Sequence, residues 1–155
     1  MRHSFFHPSL ALRGIAGCLL ASLLAATGAP VAAQALGSTA ELRRATDQVM
    51  ELVGKGDLEA GLKLLRPRST IPEGEFDAME AQTRLQQPVM TQRFGDKIGT
   101  EFLREERVGD SLVRLTYLDK FERRAMRWVF YAYKGRQGWM IDNFRFDDQV
   151  LLLFP

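Results

Sequence analysis

Apolar residues recur at helical spacing through Leu42, Ala45, Val49, Met50 and Leu52-Val53, the stripe of a helix with one buried face. Ser38-Thr39-Ala40-Glu41, just before it, has the capping-box form, in which the Ser oxygen takes a free amide and the Glu reaches back. Gly54 and Gly56 end this helix, and Asp57 caps a second one whose stripe is Leu58, Leu62 and Leu64-Leu65. Pro67 lies beyond its end. Ser69-Thr70-Ile71 reads as a short extended piece. A third helix starts near Glu73, where Glu73, Glu75 and Asp77 suit the positive end of the helix dipole. Pro88 is expected to kink or stop that helix before Phe94-Gly95.

From Lys97 the pattern turns to strands. Lys97–Arg107 and Ser111–Lys120 flank the turn pair Gly109-Asp110, a hairpin signal. Ala125–Lys134 is rich in β-prone side chains, and Gly135-Arg136-Gln137-Gly138 turns it into a fourth strand, Trp139–Phe146, with Val150–Phe154 as a candidate extension. Within Arg127–Tyr133 both parities are apolar: Trp128 and Phe130 on one side, Val129, Tyr131 and Tyr133 on the other. A half-exposed antiparallel strand alternates instead, so this strand is expected to be covered on both faces. Helices can cover one face, and a second subunit or the C-terminal segment the other. Helices first and an antiparallel meander second is an α+β arrangement, with N-terminal helices packed on a curved antiparallel sheet of about four strands. No internal repeat, linker or low-complexity tract interrupts it.

The first 35 residues differ in kind. They hold Arg2 and Arg13 but no acid, then an apolar run from Ile15 to Ala26, then Gly28, Pro30 and the small-residue end Val31-Ala32-Ala33-Gln34-Ala35. That order is a secretory signal peptide, and the apolar run is shorter than the roughly 20 residues of a bilayer span. Cleavage after Ala35 is preferred to cleavage after Ala33. Ile15-Ala16-Gly17-Cys18 resembles a lipobox, but the apolar run follows the cysteine instead of preceding it. The expected organisation is therefore a signal peptide over 1–35 and a single domain over 36–155. The expected location is bacterial, periplasmic or secreted, with no membrane attachment after cleavage.

Subtracting the leader changes the chemistry. It removes His3, His7 and Cys18, the full complement of histidine and cysteine. The precursor has 21 Lys and Arg against 19 Asp and Glu, and losing Arg2 and Arg13 leaves 19 of each. A neutral domain gives no electrostatic ground for nucleic-acid binding. Without His or Cys, zinc loses its usual ligands, and nucleophilic catalysis by Ser-His or Cys-His pairs is excluded. Adjacent acids at Glu105-Glu106 and Asp147-Asp148 point to opposite faces of a strand, so neither pair makes a site by itself. No P-loop, EF-hand or dinucleotide-binding glycine pattern is present. No cofactor or metal is expected.

The element order, together with Gly54-Lys55-Gly56-Asp57, the aromatic run Trp128–Lys134 and Gly138-Trp139-Met140-Ile141-Asp142-Asn143-Phe144-Arg145-Phe146, resembles the nuclear transport factor 2-like (cystatin-like) superfamily, in particular its small exported members without an assigned activity. The resemblance spans most of residues 38–150. It implies a cone of sheet wrapped around a helix, with a pocket inside. Some relatives, such as ketosteroid isomerases and dehydratases, place Asp, Tyr or His in that pocket, while others only bind ligands or partners. The chain departs from the His-using members, and no catalytic residue carries over.

The candidate polar groups of a pocket are Asp142, Tyr131 and Arg114. If Lys134 pairs with Trp139, Asp142 lies opposite Tyr131, where a desolvated carboxyl beside a phenol can act as a proton shuttle. The plainer reading is a structural or solvent-facing acid. If Val108 pairs with Ser111, Arg114 faces Glu105 in a cross-strand ion pair. Arg123-Arg124 with Arg127 reads as a solvated basic hairpin tip. The uncharged tail Val150–Pro155 either packs on the sheet or docks into a partner, which makes Trp128, Phe130, Leu152 and Phe154 candidate interface residues and a homodimer a candidate assembly. The expected function is a non-enzymatic domain that binds a small ligand or a protein partner. The alternatives are a pocket isomerase or hydrolase built on an Asp/Tyr pair, and an assembly protein acting through its sheet face and tail.

Overall fold

The computed structural model describes residues 34–155. The expected signal peptide and the lipobox-like Cys18 fall on residues 1–35, of which only Gln34 and Ala35 are described. Three helices pack against one antiparallel four-stranded sheet that does not close, an α+β fold. Among the described residues no helix is long and apolar enough to cross a membrane.

Helix α1 (Thr39–Gly54) starts at the expected cap: Ser38 Oγ accepts from the Glu41 N–H at 3.2 Å, and Glu41 Oε2 accepts from the Gly37 N–H at 2.9 Å. Ser38→Ala removes the acceptor and is expected to cost about 1 kcal/mol, read as a lower urea midpoint with unchanged slope. Leu42, Ala45, Val49, Met50 and Val53 are buried, one face at i, i+3/i+4 spacing that lies on the sheet. The helix ends where Gly56 takes a φ of 86°, a conformation that favours glycine. The Asp57 side chain then caps α2 (Leu58–Leu65) through the Ala60 N–H at 3.0 Å. Gly61 lets α2 lie close on α1, since a Cβ there would sit 3.3 Å from the Val49 carbonyl oxygen. Ser69 forms the short extended contact, a parallel bridge to Ile141.

Helix α3 (Glu73–Phe94) continues past Pro88, so of the two expected effects, a kink or a stop, Pro88 does not stop it before Phe94. Proline withholds one N–H from the Arg84 carbonyl. Leu85, Gln86, Pro88 and Val89 around it are exposed, so solvent can satisfy that carbonyl, and the buried rings of Phe76 and Phe94 hold the helix near its two ends. Only Phe76, Thr83 and Phe94 of this long helix are buried, so its middle lies loosely over the rest.

Strands β1 (Lys97–Val108), β2 (Leu112–Phe121), β3 (Ala125–Gly135) and β4 (Gly138–Asp147) form a meander in that order. On the covered face, Val113, Leu115 and Tyr117 of β2, Trp128, Phe130 and Ala132 of β3, and Ile141 and Phe144 of β4 meet the stripes of α1 and α2 in one core. Trp128 and Phe130 are thus interior, packed beneath the helices of their own chain and closed to a partner. Val150–Leu153 is a 3-10 turn and not a strand extension. It packs on the opposite face of β3, where Val129 and Arg127 are buried, and Arg104 Nη1 donates to the Leu153 carbonyl at 3.0 Å. Leu152 and Phe154 keep 55% and 72% of their surface exposed.

Two registers differ from the sequence expectation. Val108 pairs with Leu112, not Ser111, which places Glu106 and not Glu105 opposite Arg114. Between β3 and β4 the register shifts after Ala132–Ile141, so Tyr131 faces Asn143 and Asp142 is the extra residue of a bulge.

Candidate functional site

The three polar groups expected in a pocket do meet, but on the outer face. Arg114, Tyr131 and Asp142 line one open groove of about 310 Å³ with Val108 and Leu112. Asp142 is exposed, and Asn143 stands opposite Tyr131. The desolvation that a proton shuttle requires is missing there. Arg114 is engaged by Glu106, with Nε–Oε2 at 2.8 Å and Nη2–Oε1 at 2.6 Å. The hydrogen bond from Arg114 holds the Glu106 carboxyl below its ordinary range. The basic hairpin tip also resolves differently: Arg127 is buried and bound by both oxygens of Asp147, at 3.2 and 2.7 Å.

A second cavity, of about 350 Å³, opens on the covered side at the end of the sheet where β2 turns into β3. The turn Gly54–Gly56 forms one wall, Gln87, Met90 and Thr91 of α3 another, and Phe121, Met126, Trp128 and Phe146 the apolar floor. Gln87 Nε2 donates to the Gly56 carbonyl at 3.0 Å and ties the two walls together. Trp128 lies stacked on Phe146, ring centroids 4.4 Å apart, which fixes the indole against the floor.

Asp119 projects into this apolar setting. Its parity on β2 is that of Val113, Leu115, Tyr117 and Phe121, the covered row, so the fold carries the carboxylate inside whatever the cost. It is 2% exposed. Lys97, at the start of β1, donates to Oδ2 at 2.6 Å, with its ammonium 4.5 Å from the centre of the Phe121 ring. Among the described residues, Asp119 Oδ1 and the indole Nε1 of Trp128 are the two buried side-chain atoms with no hydrogen-bond partner. Burial raises the Asp119 carboxyl above its ordinary value. The Lys97 charge and hydrogen bond, and after them the neighbouring Trp128 N–H, oppose that rise. The indole N–H thus lies close enough to the carboxylate to act on it as a weak hydrogen-bond donor.

The other buried polar cluster is complete. The Tyr117 hydroxyl lies 2.6 Å from Thr46 Oγ1 and donates to Asp47 Oδ1 at 2.9 Å, and Asp47 is held by Arg43 at 2.8 Å. Burial pushes the Tyr117 phenol up, out of its ordinary range. With its partners satisfied, this cluster joins α1 to the sheet. Among the described residues no three His, Cys, Asp or Glu gather in a group fit to hold a metal ion.

Asp119, Lys97 and the inner cavity were not among the candidate residues read from the sequence, although strict alternation from Val113 to Phe121 puts an acid in the buried row. What the cavity offers is an apolar floor and a closed ion pair, with Lys55 and Asp96 also in its lining. Comparison with protein-family models, with curated proteins and with solved structures finds no match for this chain.

Proposed function

We propose that the chain is an exported, non-enzymatic small-molecule-binding domain whose site is the Asp119 cavity. One observation carries this reading: a cavity within the size range of ligand pockets, with an apolar floor of Phe121, Met126, Trp128 and Phe146 and the buried Asp119–Lys97 pair in its lining. The resemblance to nuclear transport factor 2-like proteins supports the same placement, inside the angle between helices and sheet. The enzyme reading loses its basis on the outer face because Asp142 is exposed. Inside, Asp119 is engaged by Lys97, which neutralises it.

Thr91 tests the proposal, since it lines the cavity from an exposed position on α3. Thr91→Trp is expected to fill the cavity with little effect on folding. Protein isolated from its own cell envelope is expected to carry a small-molecule adduct in native mass spectrometry, and the variant to lose it. An adduct retained in full by Thr91→Trp would place binding elsewhere. A host extract that neither adds mass to the wild-type protein nor raises its melting temperature would overturn the proposal.

A further inference from the structure

We propose that the chain forms a two-fold homodimer through the outer face of its sheet, in which the apolar tail of each copy, led by Phe154, fills the Val108–Leu112 groove of the other. This stands apart from the Asp119 cavity, which opens on the covered side of the sheet.

Exposed apolar side chains are concentrated on this face. Of the nine large ones left exposed among the described residues, six belong to it: Val108, Leu112, Tyr133, Leu151, Leu152 and Phe154. The first three share the face by register, since Val108 pairs with Leu112 and Leu112 with Tyr133. The tail reaches it through the turn Val150–Leu153, which lies on β3 and is bound by Arg104. Apolar surface gathered in this way marks an interaction site. Its two halves differ in shape. One is a groove of about 310 Å³, of the order of ten water volumes and room for a phenyl ring. The other offers Phe154, with 72% of its surface exposed. They meet at Arg114 and Tyr131, which border both the groove and the hollow beside Leu152 and Leu153.

The charges on the face select a second copy over a charged partner. Glu106 holds Arg104 and Arg114, and Asp147 holds Arg127 with both oxygens. At the margins Glu105 holds Arg107 and Glu101 holds Lys120. Covering these pairs therefore strands no ion. Two less engaged groups remain, one of each sign and both on β4. Asp142 is exposed in the groove, and Arg145 is 53% exposed with its Nε 4.0 Å from Asp147. A two-fold axis lying in the interface, across the strands at the level of Arg114 and Tyr131, exchanges the groove end with the tail end. It also sets Asp142 toward Arg145 of the partner subunit, twice. The face is large enough. Four strands about 4.8 Å apart and roughly ten residues long, at about 3.3 Å each, give roughly 600 Å² in projection. A standard interface takes about 800 Å² of accessible surface from each partner.

Sedimentation velocity of the purified protein is expected to show a dimer with a Kd in about the micromolar range. Phe154→Asp and Val108→Asp change side chains that are 72% and 71% exposed. Each is expected to weaken the dimer at least about tenfold, because each puts a charge into an apolar contact twice over. Their circular dichroism spectra are expected to match the wild type, as are their melting temperatures at dilutions where the wild type is monomeric. With Cys18→Ser the chain holds no cysteine, and Phe154→Cys or Val108→Cys can then be added singly. Oxidation of an equal mixture of the two is expected to give the mixed disulfide in preference to either like pair, since Phe154 meets Val108 of the partner subunit. A monomer at every concentration overturns the proposal, as does a dimer that both aspartate variants leave intact. Cross-links that join only like positions overturn the exchange of tail and groove.

Discussion

Lys97→Met is expected to destabilise the domain by about 3 kcal/mol at neutral pH, the cost of breaking a buried ion pair by removing one partner, and by progressively less in acid. Methionine keeps most of the volume of the lysine stem, so the change isolates the charge. Asp119 is then left on the covered face of β2 with neither oxygen hydrogen-bonded. Its carboxyl escapes by taking a proton. Burial already raises its pKa above the ordinary value, and Lys97 is the first of the groups that oppose the rise, so removing the lysine raises it further. In the pH range between the unfolded carboxyl value, about 3.9, and the raised folded value, the folded state holds a proton that the unfolded chain has released. Stability therefore falls as pH rises through that range, and the contribution of Asp119 is most favourable below it. Glu106 and Asp147 act in the opposite direction. Their folded values are lowered, so their contribution is present above the unfolded carboxyl value and is lost as pH falls. Both occur unchanged in the variant and cancel in the difference. Urea unfolding of the two proteins at pH 4.5 and pH 7.5 is expected to show a gap that narrows at the lower pH. A gap independent of pH would mean that Lys97 acts through packing alone.

The sequence makes Asp119 visible in one dimension only. Alternation along Leu112–Phe121 assigns it to the covered row, but alternation says nothing about which cation reaches it. Lys97 pairs across from Phe121, and a register shift follows between Lys97 and Gly99, which brings the lysine end diagonally onto the carboxylate. Such shifts leave no mark in a hydrophobic pattern. The bulge that moves Asp142 away from Tyr131 is of the same kind: one extra residue, no change in composition, and every pair beyond it displaced. The one-residue slip from Glu105 to Glu106 comes from the loop. Leu112 and not Ser111 closes the first hairpin, and Gly109 takes a φ of 59°, as three-residue loops with a left-handed position do. Elements whose signals are local were legible throughout. Ser38 and Asp57 cap where their side chains suggest, the stripe of α1 is the buried face, and β3 is central with helices on one face, while on the other the C-terminal turn covers only the Arg127–Val129 end and leaves Tyr131 half-buried and Tyr133 exposed, short of the expected cover on both faces. Pro88 does not stop α3, because the carbonyl it frees lies among exposed residues and the buried rings of Phe76 and Phe94 hold the helix on either side.

Phe130→Ala is expected to have the larger effect on stability, about 3–5 kcal/mol, read as a fall in melting temperature and urea midpoint. Phe130 is 0% exposed, on a central strand. Its ring meets Tyr117 edge-on at 5.7 Å and lies 6.0 Å from Trp128 and 6.3 Å from Phe144. Three large rigid rings cannot collapse together into the space a phenyl leaves, so most of the cavity cost persists. Residues 34–155 contain no cysteine and no histidine, hence no disulfide or histidine-bound metal shares the load, and a domain of this size holds only about 5–15 kcal/mol in all. Phe154→Ala is the matched control. At 72% exposure that ring makes few contacts, and the substitution is expected to change stability by less than about 0.5 kcal/mol. If the two substitutions cost the same, the covered face is not where the stability resides, and the rigid floor on which the Asp119 site depends is lost with it. If they differ as expected, the dense aromatic centre supplies the stability that lets the far end of the same sheet carry a buried carboxylate and an indole N–H without partners.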